Sequence, residues 1–177
     1  MNKTHRISLM ALTLAIAVCF GCAGTASART PQAPANAAQA FATLKTLAGR
    51  WEATTAKGKA SATYQLVSGG TAVLERMKMA GEQEMITVYY LDGNRLLLTH
   101  YCEAGNQPRM QAASFDPKTN TIDFHFLDAT NLPNPDAGHM HSVVIKFRGP
   151  NEVDEDWTFY QGGKPGFTAP FAYHRVD

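Results

Sequence analysis

Apolar and polar positions alternate with a period of two over ten short runs after Gly49, near residues 50–55, 60–68, 71–79, 84–91, 94–102, 108–115, 120–127, 139–148, 152–160 and 167–175. Period two is the mark of a strand that buries one face. Turn chemistry separates the runs. Gly69-Gly70, Ala80-Gly81, Asp92-Gly93, Asp116-Pro117 and Gly162-Gly163 supply the positive or preset φ that tight hairpins need. No helical crossover interrupts the series, so the pattern predicts an all-β fold, an antiparallel up-and-down barrel of about ten strands whose closure removes exposed sheet edges. Ahead of it, Phe41, Leu44 and Leu47 recur at helical spacing until Gly49 stops them. That predicts a short N-terminal helix at the closed end of the barrel.

The first 28 residues follow a different pattern. Lys3 and Arg6 make a basic start, Ile7 to Phe20 is an apolar run, and Ala26-Ser27-Ala28 is a small-residue cleavage signal. Residues 1–28 therefore read as a signal peptide, and the protein as periplasmic or secreted. Gly21-Cys22 offers an alternative ending, that of a lipoprotein signal, with a lipid anchor at Cys22. The apolar run is too short for a membrane span and no later run is longer, so no transmembrane segment is expected in the mature chain. Residues 29–39, rich in alanine and proline, read as a flexible lead-in to a barrel domain over 40–177.

Composition narrows the class. A chain of 177 residues with 45% hydrophobic and 18% charged positions suits a single globular domain. Removing residues 1–28 takes away two basic residues and no acid, which turns a formal charge of +1 into −1. A near-neutral chain without a basic stripe argues against nucleic acid as a partner. Cys102 is the lone mature thiol, or one of two if Cys22 is retained, so no internal disulfide framework is implied.

Candidate chemistry concentrates in Thr99–Met110, where His100, Cys102, Asn106, Gln107 and Arg109 surround one short turn. In a hairpin series, the connections near 56–59, 80–83, 103–107, 128–138 and 161–166 fall at one end, the mouth, opposite the helix. Loops at such a rim carry binding groups while the strands stay rigid. Alternation along 139–148 places His139, His141, Val143, Ile145 and Phe147 on the inner face. If Asp92-Gly93 is a two-residue turn, Tyr89 pairs with Leu96, Thr87 with Leu98 and Met85 with His100, which turns His100 and Cys102 inward. Val73, Glu75, Met77 and Met79 also face inward, with Arg109 or a rim histidine available to neutralise Glu75. His125 faces outward beside Asp123. Trp51, Glu155, Trp157 and Arg175 fall near the closed end and read as a plug.

A short helix leading into Gly49-Arg50-Trp51 on the first strand, with Arg175 on the last, resembles the lipocalin and fatty-acid-binding-protein superfamily. There a Gly-x-Trp and a terminal arginine pack together across the closed end of the barrel. The resemblance implies that fold, although the lipocalin disulfides have no counterpart. The Thr99–Met110 stretch also resembles exported bacterial lipocalin-like proteins of unassigned activity.

Three functional classes follow. The first is an exported protein that binds a small hydrophobic or amphipathic molecule inside the barrel, with His100, Cys102, Asn106, Gln107, Arg109, His139 and His141 at a polar rim and Glu75 and Tyr89 within. No cofactor is expected on this reading. The second is haem or zinc binding, through a three-histidine set of His100, His139 and His141 or through one axial histidine. The third is an envelope interaction module whose barrel is filled by its own side chains. Cys102 has no accompanying signature of thiolate stabilisation or an oxyanion site, so no catalytic residue is assigned.

Overall fold

The computed structural model describes residues 36–177. The stretch read as a signal peptide, most of the lead-in and Cys22 lie outside the described residues. Those described form one helix, α1 (Ala37–Lys45), followed by ten strands: β1 (Gly49–Thr55), β2 (Gly58–Val67), β3 (Ala72–Met79), β4 (Met85–Asp92), β5 (Arg95–Tyr101), β6 (Gln107–Asp116), β7 (Thr121–Thr130), β8 (His139–Gly149), β9 (Glu152–Gln161) and β10 (Lys164–Arg175). The strands close into an antiparallel barrel in which each pairs with its neighbours in sequence and β1 meets β10. The helix starts inside the stretch read as lead-in. Ala37 and Ala40 add two buried positions to Phe41 and Leu44, and alanine, a strong helix former, barely registers in a hydrophobic periodicity.

The inner face carries the alternation expected of it. Val73, Glu75 and Met77 of β3 are buried while Arg76 and Lys78 are exposed, and Val153, Glu155 and Trp157 alternate inward on β9. The β4–β5 turn differs from expectation. Asp92 pairs with Arg95 around Gly93 and Asn94, so Thr87, not Met85, lies opposite His100. This moves the register by two residues, which preserves the face, and His100 remains buried.

Closure rests on a narrow seam. β1 and β10 pair at Trp51 with Arg175 and at Glu52 with His174, and the Val176 N–H just beyond β10 donates to the Arg50 carbonyl at 2.9 Å. Arg175 reinforces it: its guanidinium lies 4.3 Å from the centroid of the Trp51 ring, and its nitrogens donate to the carbonyls of Ala48 and Thr46, each at 2.7 Å, and of Pro150 at 3.1 Å. The Trp51 indole N–H donates to the Leu47 carbonyl at 2.7 Å. Gly49 makes this packing possible. Its φ is 135°, and a Cβ there would sit 2.5 Å from Nη1 of Arg175.

Candidate functional site

A cavity of about 930 Å³ opens among the β1–β2, β3–β4 and β5–β6 connections, where Ala56, Lys57, Glu82, Glu103 and Ala104 border it. Its walls are apolar and unusually rich in sulfur. Met77 and Met79 come from β3, Met85 from β4, Met140 from β8, and Trp157, Phe159, Phe167 and Phe171 from β9 and β10. Phe159 and Phe167 stack at 5.1 Å. Gly138 lets the Phe159 ring approach, since a Cβ at that position would lie 2.6 Å from the ring. Beyond Glu52 β1 and β10 no longer pair with each other, and Thr54 and Thr55 of β1 line the cavity together with residues 168–172 of β10.

Two of the residues expected at the rim reach this cavity. His100 lines it while almost fully buried, and Cys102 lines it near the mouth. Burial pushes the Cys102 thiol up, which keeps it protonated. Burial likewise pushes His100 down from 6.5 to about 4, which keeps the imidazole neutral near pH 7. Its Nδ1 lies 3.0 Å from the Thr87 hydroxyl, its ring centroid 4.7 Å from that of Trp157, and its Nε2 is buried with no hydrogen-bond partner.

The other expected rim residues do not line the cavity. Asn106 is buried and its side-chain amide donates to the Gly138 carbonyl at 2.8 Å, while its backbone carbonyl accepts from the Cys102 N–H at 3.1 Å. Gln107 accepts from the Thr130 hydroxyl at 2.7 Å. Arg109 forms a two-pronged ion pair with Asp128 on the outer surface, its Nε at 2.6 Å from Oδ1. Hydrogen bonding to Arg109 holds the Asp128 carboxyl below its usual range. These contacts answer most of the turn's polar groups from within the chain, although Oδ1 of Asn106 is buried without a hydrogen-bond partner.

His139 and His141 depart furthest from expectation. The β8–β9 register slips between Met140 and Ser142, so Met140 takes the cavity side instead of the histidines. Both rings line a separate depression beneath the 131–138 loop, beside Phe126 and Tyr160. His141 stacks between Tyr160 at 3.8 Å and Phe126 at 4.9 Å, and its Nδ1 lies 3.0 Å from Nε2 of His139. The Nδ1 of His139 bonds the Ala137 carbonyl at 2.8 Å. His100 is thus separated from the other two, and among the described residues no three histidine, cysteine or carboxylate side chains are disposed to hold a metal ion. The three-histidine arrangement is not assembled. His125 faces outward, 2.9 Å from Asp123, as its parity indicates.

Behind the cavity wall lies a buried polar layer that the sequence only partly announces. Glu75 and Glu155 are both fully buried. Tyr89 donates to Glu75 at 2.7 Å, where Arg109 or a histidine was the expected partner. Tyr64 donates to one oxygen of Glu155, and the Trp157 indole donates to the other at 3.0 Å. Burial, then the charge of Glu155, raises the Glu75 carboxyl well above the usual range; burial raises Glu155 less far, against two donors that favour its charged form. Both carboxyls therefore lean toward their protonated forms, Glu75 the more strongly. Glu155 and Trp157 were expected in the end plug. Parity fixes a residue's face but not its depth, which depends on strand tilt and stagger. Inward alternation of Glu155 between Val153 and Trp157 was the signal that could have found this layer.

The chain matches no protein-family model and no curated sequence.

Proposed function

We propose that this chain is an exported, lipocalin-like carrier that holds one small, largely apolar molecule inside its barrel. The observation that carries this reading is the cavity of about 930 Å³, walled by four methionines and four aromatic rings. Cavities of this size suit a single drug-sized molecule, and methionine walls adapt to the shape of an occupant. The third expectation, a barrel filled by its own side chains, is less well supported by that volume. Haem or zinc binding loses the support of converging histidines.

We read the barrel as an up-and-down series with α1 over its closed end. Pairing of each strand with its sequence neighbours supports the first part, and the bonds from Arg175 to the carbonyls of Thr46 and Ala48, just beyond the helix, support the second. The packing of Arg175 on Trp51 after Gly49 supports the likeness to lipocalins and fatty-acid-binding proteins. Export to the periplasm or medium rests on the basic start, apolar run and Ala26-Ser27-Ala28 of the leader, with a lipid anchor at Cys22 as the alternative processing.

Titration of the purified protein with Nile red, a neutral apolar dye, tests the reading. Saturable binding at one dye per chain, lost when Met85→Trp fills the cavity, is the expected result. Absence of binding, or binding indifferent to that substitution, would favour an envelope interaction module.

A further inference from the structure

We infer that the cavity selects a neutral apolar molecule bearing one hydroxyl group, an alcohol, phenol or sterol, whose hydroxyl ends on Nε2 of His100. The inference deepens the carrier reading and rests on it. His100 is buried to 1% exposure, lines the cavity, and has its other ring nitrogen held by Thr87 at 3.0 Å. Nε2 is left as a buried polar atom with no partner inside the protein. A polar atom in that position costs free energy unless the contents of the cavity satisfy it. The walls around it are methionine and aromatic, so one polar contact is offered within an otherwise apolar space.

Charge decides against a carboxylate. Lys57 is the cation among the residues lining the cavity, and it stands at the mouth with its ammonium 3.0 Å from Glu82. Among the described residues that line the cavity, none at its interior end is cationic. The buried acids lie directly behind the wall: Trp157 both lines the cavity and donates to Glu155, while Thr87 both holds His100 and favours the charged form of Glu75 through a hydrogen bond. An anionic head group beside His100 would give up its water in an apolar space with no cation to replace it, next to carboxyls whose ionisation any negative charge disfavours. A hydroxyl has no such penalty. It also both donates and accepts, so it satisfies Nε2 in either tautomer that the Thr87 contact permits.

The test compares naphthalene, 2-naphthol and 2-naphthoate, three probes of one shape, by fluorescence titration at pH 7 against the wild-type chain and His100→Leu. In the wild type, 2-naphthol should bind about tenfold more tightly than naphthalene, the gain of one buried hydrogen bond, and 2-naphthoate more weakly than either. In His100→Leu the naphthol advantage should vanish. A ratio near one in the wild type, or an advantage that survives the substitution, overturns the inference while leaving the carrier reading intact. Failure of all three probes to bind while Nile red binds overturns the inference alone; failure of the three probes and Nile red together overturns both. Should His100→Leu not fold, His100→Gln serves instead: its amide is shorter and differently directed, and a naphthol advantage unchanged in that variant also counts against the inference.

Discussion

Tyr89 donates its hydroxyl to Glu75 at 2.7 Å, and neither side chain reaches solvent. The bond lies in the layer that separates the cavity from the Trp51 packing, since Tyr64 meets Trp51 edge-on at 6.5 Å and also donates to Glu155. A carboxyl raised by burial binds its proton more tightly when folded. Its contribution to stability is fully present below the ordinary value of 4.5 and is lost as pH rises through the folded value. His100 acts in the opposite sense: with its value lowered from 6.5 to about 4, its contribution is present above 6.5 and lost as pH falls.

Comparison of wild type with Glu75→Gln isolates the carboxyl from the histidine. Urea midpoints measured from about pH 5 to about pH 8 should show the variant gaining on the wild type as pH rises, by up to about 1.4 kcal/mol per pH unit, the limit for one proton. Parallel curves for the two proteins would mean that Glu75 does not hold the extra proton.

Arg175→Ala removes three hydrogen bonds to carbonyls and the cation over Trp51, and should cost about 2 kcal/mol. Gly49→Ala should cost a comparable amount, about 2 kcal/mol, because it combines a strained backbone with a clash against the same guanidinium. The double variant is the sharper measurement. Once Arg175 is gone the clash disappears, so the two losses should sum to less than additive, and strict additivity would argue that the residues do not communicate.

The thiol of Cys102 reports on the cavity. It lines the space near the mouth and is held protonated by burial, so alkylation should be slow at neutral pH and slower again with the cavity occupied. Peptide mass analysis after timed treatment with iodoacetamide, with and without saturating Nile red, measures this. Equal rates would place the dye elsewhere.

His139→Ala and His141→Ala should leave dye binding unchanged and lower stability by about 1 kcal/mol each, since they interrupt the Phe126–His141–Tyr160 stack. Burial, then neighbouring histidines, lowers His141 below 6.5. That group favours the fold above 6.5 and less so as pH falls, so acid should selectively destabilise the wild type relative to His141→Ala. Loss of dye binding in either variant would return these residues to the cavity.

Period-two alternation carried most of the fold: ten runs became ten strands, and Gly49, Trp51 and Arg175 meet as the resemblance implies. His100 kept its face despite a mistaken turn because the β4–β5 register moved by two residues. His139 lost its face because β8 shifts against β9 at one position, and a β-bulge in a run such as His139-Met140-His141-Ser142 leaves no mark on the hydrophobic pattern. The polar density of Thr99–Met110 suggested a ligand site, yet Asn106, Gln107 and Arg109 are answered by Gly138, Thr130 and Asp128, groups more than fifteen residues away in sequence. Such distant partners are not legible from the turn itself.

The short seam between β1 and β10 also bears on the order of events in folding. Trp51 belongs to the first strand and its partner Arg175 to the last, so nearly the whole barrel must be arranged before the ring can lock. Until then both strands present bare edges to any other chain that comes near. Late closure of this kind carries a high cost in loop entropy and a slow final step. Losing the last few residues would therefore act less as a small trimming than as the conversion of a sealed cylinder into an open sheet with two adhesive borders.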